Sequence, residues 1–266
     1  MHMRSRLVIA GLTISRFVAA EPAPDGSTVP TNVSVHPTVE FGVGTTFVAR
    51  GVPQYTDRSD LATLDGLLFT FKDLGPGSLT LGCFHEAALT HTAMQSLSGG
   101  ISPQFDPIAS YAMSFGRVQA SAGYFLHLWP AWAEHPDGMH EIQLTAAVDG
   151  LFVRPAVEVD AEFVRMHGAY ANASVTKSFT FGNVTVTPGA LVGVNGYAKP
   201  FAGTFDIPFS VREVTANVGV TWKVASPFYV AFRAAYSYTG LHHWWMDQSV
   251  IGRSTPFAMV ALGASG

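Results

Sequence analysis

Cysteine, charge and long apolar runs are all scarce in this chain, and each scarcity excludes something. A single cysteine, Cys83, in 266 residues rules out an intrachain disulfide and any cysteine-built metal site. Charged residues make up 13% of the chain, about half of the roughly 25% usual in soluble domains. The 15 Lys and Arg are outnumbered by 19 Asp and Glu, giving a net charge of −4 and a pI near 6.2. That balance speaks against a nucleic-acid partner. No uninterrupted apolar run reaches the roughly 20 residues that a membrane helix needs. Yet the mean hydropathy is positive. Such a chain must spread its apolar residues thinly, as alternating strands do.

Alternation is what the sequence has in place of runs, and it is clearest between Gly168 and Tyr197. Tyr170, Asn172, Ser174, Thr176, Ser178 and Thr180 alternate with Ala, Val, Lys and Phe. On the far side of Gly182-Asn183, Val184, Val186, Ala190, Val192 and Val194 alternate with Thr185, Thr187, Gly189, Leu191, Gly193 and Asn195. Period two gives each arm one apolar and one mostly polar face, and Gly-Asn is a tight-turn pair. The pattern predicts a hairpin whose arms outrun the roughly 5–6 residues of an ordinary strand. They suit the roughly 9–11 tilted residues that cross a bilayer. Pro188 predicts a bulge or a locally lost ladder bond. Taken alone, the hairpin fits a soluble sandwich as well as a membrane barrel.

The same pattern predicts about twelve strands. Besides the two arms they cover 39–50, 61–72, 79–89, 108–115, a stretch from Val118, then 140–148, 155–164, 212–224, 228–239 and 256–264. Phe84 is out of phase in the third. Connections are long after odd-numbered strands and tight after even-numbered ones, the pattern of outer-membrane barrels. A soluble sandwich has no reason to sort loops by parity. Aromatics agree: Phe115, Phe179, Phe181, Trp222 and Phe228 fall at tight-turn ends, and Phe47, Trp129, Phe163, Tyr197 and Tyr238 at long-loop ends. The expected fold is therefore all-β, an antiparallel up-and-down transmembrane β-barrel over 39–266. Ahead of it, 1–20 reads as a signal peptide. It has a basic start with Arg4 and Arg6, an apolar core from Leu7 to Ser15, and Val18-Ala19-Ala20 before the cleavage point, with Arg16 an unusual late charge. The Pro-, Thr- and Ser-rich stretch 21–38 reads as a flexible N-terminal segment.

One local stretch resembles a known family. Phe47-Val48-Ala49-Arg50-Gly51-Val52-Pro53-Gln54 is similar to the aromatic-x-x-Arg-Gly-x-x-Gln stretch after the first strand of TorF-type porins. Leu61-Ala62-Thr63-Leu64-Asp65-Gly66 looks like that family's second-strand start, with Asp65 where Gln is common, and Gly168-Ala169-Tyr170 is similar to a hairpin start. The resemblance covers a small part of the chain. It implies an outer-membrane porin with no catalytic residues. One departure is at the end: such barrels usually finish in an aromatic, whereas this chain finishes Leu262-Gly263-Ala264-Ser265-Gly266. Truncation, a different assembly route and a different fold are the alternatives there.

Candidate pore-lining residues follow from the polar faces: Arg50, Asp65, Glu213, Lys223 and Arg233, with an acidic stripe of Glu141, Asp149, Glu158, Asp160 and Glu162. No Lys or Arg is expected on the stripe's faces, and Lys223 and Arg233 are expected across the barrel from it. Such a lumen favours cations. His91, His127, His135, His140, His167, His242 and His243 gather in or beside the long loops. Their spacing matches no metal motif, so they are expected to be polar filler, with weak transition-metal binding as the alternative. No local motif joins Ser to His as a hydrolase needs. The expectation is a non-enzymatic channel without cofactor, with outer-membrane lipids and small solutes or ions as partners. A closed barrel acting as a structural or adhesive surface protein is the alternative, and an outer-membrane enzyme the third reading. The oligomeric state is left open.

Overall fold

The computed structural model describes residues 33–45, 48–49, 52–53, 61–89, 104–128, 138–164, 168–195, 210–239 and 254–266. Twelve long strands form its wall: β1 Ser34–Thr45, β2 Leu61–Leu74, β3 Gly77–Ala88, β4 Gln104–Phe115, β5 Val118–His127 and β6 Met139–Val148. They continue with β7 Arg154–Glu162, β8 Gly168–Thr176, β9 Val184–Asn195, β10 Ser210–Ala225, β11 Phe228–Thr239 and β12 Ser254–Ser265. Each strand pairs antiparallel with its neighbours in sequence. β1 closes the ring on β12, with Val39 opposite Ala264 and Val43 opposite Val260. Closure gives every wall strand two hydrogen-bonded neighbours, the condition for crossing lipid with strands. The fold is the expected twelve-stranded up-and-down barrel.

The faces are inverted relative to a soluble protein. In β1, Phe41 is 64% exposed while Glu40 next to it is 3% exposed. In β12, Leu262 is 61% exposed and Ala261 is 1% exposed. Leu144, Val157, Val192 and Val214 are likewise exposed on the outside. Apolar side chains out and polar side chains in is stable only where the surroundings are hydrocarbon. The outward aromatics Phe115, Phe181, Trp222 and Phe228 collar the tight-turn end, and Phe163 and Tyr238 stand exposed at the other end. Phe47, Trp129 and Tyr197 lie outside the described residues.

Connection lengths keep their parity with one tie. Gly75-Pro76, Gly116-Arg117, Gly182-Asn183 and Ser226-Pro227 each link two strands, whereas 149–153 is as long as 163–167. Gly182 turns the opening hairpin at φ 61, a left-handed conformation that suits glycine. Pro188 acts as expected, through its partner arm. The first arm leaves the ladder at Lys177 and Ser178, and Lys177 donates its backbone N–H to the Pro188 carbonyl at 3.1 Å. The three-residue stretch Phe179–Phe181 then resumes pairing with β9. Phe84 is out of phase because it points into the barrel. Gly66 across the ladder makes room, since a Cβ there would lie 3.0 Å from the Phe84 ring.

Both boundaries of β1 differ from the sequence expectation. β1 begins at Ser34, inside the stretch read as flexible, and its first residues pair with β2 from Ser34 opposite Lys72 onward. Ser34, His36 and Thr38 form its inner face and Val35, Pro37 and Val39 its outer face. A polar, proline-containing composition reads as a loop in soluble chains, but it also describes a strand with a wet lumen on one side. β1 ends at Thr45 rather than at residue 50. Beyond it, Val48–Ala49 and Val52–Pro53 form a separate two-residue ladder.

The face assignment sets a stability contrast. Val192, exposed on the outer wall, should tolerate lysine poorly, at a cost of roughly 2–4 kcal/mol near mid-membrane, and inward-facing Asn217 much better. Urea unfolding of Val192→Lys and Asn217→Lys in lipid vesicles measures the difference. Equal stabilities would contradict the assignment.

Candidate functional site

The inner face of β3 to β11 carries an arc of acidic and amide side chains, mostly in the half of the barrel nearer the long connections. Parity puts Glu86, Asp106, Glu141, Glu158, Asp160, Glu162 and Glu213 on the inside, and each is 7% exposed or less. Register then makes the arc continuous. Glu141 stands directly opposite Glu162, and Gln143 opposite Asp160. Asp160 also faces Tyr170, and Glu158 faces Asn172. Like charges directly opposite repel, so neighbouring groups must compensate. His127 Nδ1 lies 2.9 Å from Asp106, and its Nε2 lies 3.9 Å from Glu141. Gln104 donates to both Asp106 oxygens at 2.8 and 2.9 Å. Asn172 donates to Glu158 at 2.9 Å, and the Val164 backbone N–H donates to Glu162 at 3.0 Å. The Tyr170 hydroxyl donates to Glu213, which also accepts from Thr215 at 2.9 Å.

Below the arc the inner face of β3 to β10 is mostly small and hydroxylic, while Leu68 of β2 and Met259 of β12 are apolar and buried. Thr70 and Thr80 share a hydrogen bond at 3.0 Å, and Ser121 and Thr145 one at 2.6 Å. Most of these residues keep partial exposure, as at Ser78, Ser110 and Thr221. The opposite wall, β11 to β1, holds a bidentate pair: Arg233 donates to the two Glu40 oxygens at 2.8 and 3.0 Å. The Tyr229 hydroxyl adds a third bond to Glu40 at 2.9 Å. Tyr229 lies flat on the wall because Gly263 has no side chain, and a Cβ there would fall 2.2 Å from the ring.

The residues singled out in the sequence fare differently. Glu141, Glu158, Asp160, Glu162 and Glu213 come together in the arc. Asp149 faces inward at the tight-turn end, where Arg154 donates to it at 2.6 Å and to Gln119 at 2.9 Å. Arg154 corrects the expectation that the stripe's faces hold no Lys or Arg. The strand expected over 155–164 leaves Arg154 in the connection, although it has the parity of Glu158. Asp65 stands on the outer wall, opposite Phe41 and 3.2 Å from His85 Nδ1. Alternation in β2 puts it in phase with Leu67 and Phe69, so its charge is not on the lumen face. Lys223 is exposed at the tight-turn end, beside a register shift between Lys223 and Ala225. Arg233 faces the lumen and is held by Glu40. Arg50 lies outside the described residues.

Sequence reading missed Glu40, Glu86 and Asp106, and it placed His127 beside a long connection without assigning it to the lumen. Glu40 had a clear signal, its parity opposite to Phe41. Glu86 was hidden by Phe84, which blurred the alternation of its strand. Asp106 preceded the expected start of its strand. His127 and His140 are thirteen residues apart yet lie on opposite faces of the wall. His140 accepts or donates a hydrogen bond with the Tyr124 hydroxyl on the outside, near the Phe163 ring. Among the described residues no three His, Cys, Asp or Glu side chains are grouped to hold a metal ion. His91, His135, His167, His242 and His243 lie outside them.

Closure, inverted faces, aromatic collars and parity of connections define an outer-membrane-type β-barrel with a polar interior. Solved structures are similar to the chain. The COG4313 outer membrane channel from Pseudomonas putida F1 matches 92% of this chain and 100% of its own length, at 10% identity and a TM-score of 0.53. A KdgM porin matches 85% of this chain and 98% of its own, at 15% identity and a TM-score of 0.49. The translocator domain of the autotransporter NalP from Neisseria meningitidis matches 89% and 90%, at 10% identity and a TM-score of 0.44. No protein-family model and no curated protein matches the chain.

The Arg233–Glu40 pair yields a stability prediction. Arg233→Met leaves a buried carboxylate without its bidentate partner and should cost about 3 kcal/mol, the low end for a buried pair because Arg233 stays 29% exposed. Glu40→Gln/Arg233→Met should recover much of that loss in a double-mutant cycle. A single variant as stable as wild type would show the pair to be dispensable.

Proposed function

We propose that the protein is an outer-membrane channel for passive passage of small solutes or ions, with a preference for cations. The observation that carries this reading is the inward arc of seven carboxylates, Glu86, Asp106, Glu141, Glu158, Asp160, Glu162 and Glu213, above a hydroxylic lower lumen. Acidic rings in a low-dielectric wall concentrate cations and repel anions. The partial exposure of the lower inner face supports a hydrated passage up to the arc. Glu141, Glu158, Asp160, Glu162 and Glu213 line that passage, Asp149 and Lys223 stand at its tight-turn mouth, Arg233 is neutralised by Glu40, and Arg50 belongs to the connection after β1. The reading is non-enzymatic and needs no cofactor. The TorF-type resemblance agrees with it, as does the channel named in the similar Pseudomonas structure. In this reading 1–20 is a signal peptide, the outer membrane of a bacterium is the location, and the first and last strands of the barrel start and finish on the periplasmic side, with the long connections outside.

One observation favours a second reading. The arc is almost wholly withdrawn from solvent, Asp160 to 1% and Glu141 to 2%. A barrel closed at that level would serve as a structural or adhesive surface protein. Planar bilayers separate the two, because a closed barrel does not conduct.

Reversal potentials across a KCl gradient test the preference. The wild type should select K+ over Cl−, and Glu158→Gln/Asp160→Asn should weaken that selectivity while conductance persists. Anion selectivity in the wild type would overturn the cation preference. For topology, an epitope inserted within 240–253 should be labelled on intact cells, and one at Gly116-Arg117 only after the outer membrane is permeabilised. The reverse pattern would invert the barrel.

A further inference from the structure

We infer that the pore is electrically bipolar along its axis and therefore rectifies, passing more current when cations are driven from the long-connection end toward the tight-turn end. The inference rests on the channel reading above. It comes from how the wall's charges are sorted. Among the described side chains, the basic residues Lys72, Arg117, Arg154, Lys177 and Lys223 all sit at the tight-turn rim. The rim's side-chain carboxylates among the described residues are Asp73 and Asp149. Local contacts hold the cations there: Arg154 with Asp149 and Gln119, Lys177 over the Phe152 ring at 4.8 Å, and the Lys223 carbonyl with the Asn183 amide at 3.0 Å. The sixth described cation, Arg233, is matched to Glu40 midway along the wall.

The opposite half carries most of the seven inward carboxylates of the arc, with Glu158 at mid-strand. Charges of the long connections do not reverse that sign. Together with Arg212 of β10, those segments contain Arg50, Arg58, Arg165, Lys199 and Arg253 against Asp57, Asp60, Glu134, Asp137, Asp206 and Asp247. The two sets are equal in number. Whatever partners individual carboxylates take, the outer half sums to negative and the described residues of the rim sum to positive.

A pore with a negative zone in series with a positive one behaves as a junction. When the acidic end is held positive, cations enter through the arc while anions enter through the basic rim. Both kinds of ion then accumulate in the middle, and conductance rises. With the voltage reversed, each zone excludes the ion arriving at it, the middle is depleted, and conductance falls. The effect requires each zone's field to span the lumen. It does so at a Debye length of about 10 Å in 0.1 M salt and is lost at about 3 Å in 1 M.

Single-channel recording of the full chain in planar bilayers tests this. In symmetric KCl near 0.1 M, currents at equal and opposite voltages should differ about twofold or more, with the larger current when the long-connection side is positive. The ratio should approach one in about 1 M KCl. Orientation is read from the side on which an impermeant thiol reagent modifies Cys83→Ser/Thr180→Cys, since Thr180 is exposed beside the Gly182-Asn183 turn. Arg117→Glu/Lys223→Glu, both exposed at the rim, should abolish the asymmetry while leaving a conducting pore. Symmetric current in low salt, or asymmetry of the opposite sign, would overturn the inference and leave the channel reading standing. Asymmetry that survives unchanged in 1 M salt or in the rim variant would overturn it as well. Absence of any current would instead remove the channel reading on which it rests.

Discussion

Every backbone polar group of a lipid-facing strand needs a partner inside the protein, and the structure depends on that requirement first. No water reaches these groups in hydrocarbon, and an unpaired one costs several kcal/mol. A sheet meets the condition only by having no edge. The pairing of β1 with β12 is therefore the step that makes the other eleven ladders viable. It also fixes which side chains meet. Closure places Glu40 of β1 within reach of Arg233 on β11, although 193 residues separate them in the chain.

Closure then divides the side chains between two solvents. The outside must be apolar, so the chain's limited charge is gathered inside or at the rims, and a modest number of carboxylates produces a dense arc. Such an arc is electrostatically unfavourable. Glu141 and Glu162 face each other across one ladder. Amide, hydroxyl and imidazole groups around the arc supply hydrogen bonds to it, and a charge-assisted hydrogen bond is worth about twice a neutral one.

Asp65 shows how far a face assignment can be trusted from composition alone. It is charged, so it invites placement on the lumen side, yet its parity with Leu67 and Phe69 sends it outward. It pairs there with His85, four residues from the loop end of β2, and the Phe105 ring lies tilted against His85 with centroids 4.8 Å apart. Polar and aromatic groups mix in this way where a barrel meets lipid headgroups. Parity is the stronger rule because a residue's face follows from the pleat, whereas its polarity only correlates with depth.

The sequence by itself determined the all-β class, the number of strands, the sorting of connections and the inward-facing acids of β6 and β7. All of these follow from period-two alternation and turn residues, which are local properties. It misjudged where strands begin when the lumen face was polar, as at Ser34, and where one large inward residue, Phe84, disturbed the rhythm. Only the tertiary structure decided which charges meet. Arg154 neutralises Asp149, Glu40 holds Arg233, and Glu86, Asp106 and His127 extend the acidic stripe into an arc over neighbouring strands. Those partnerships depend on ladder register and on ring closure, and neither is encoded within any single strand.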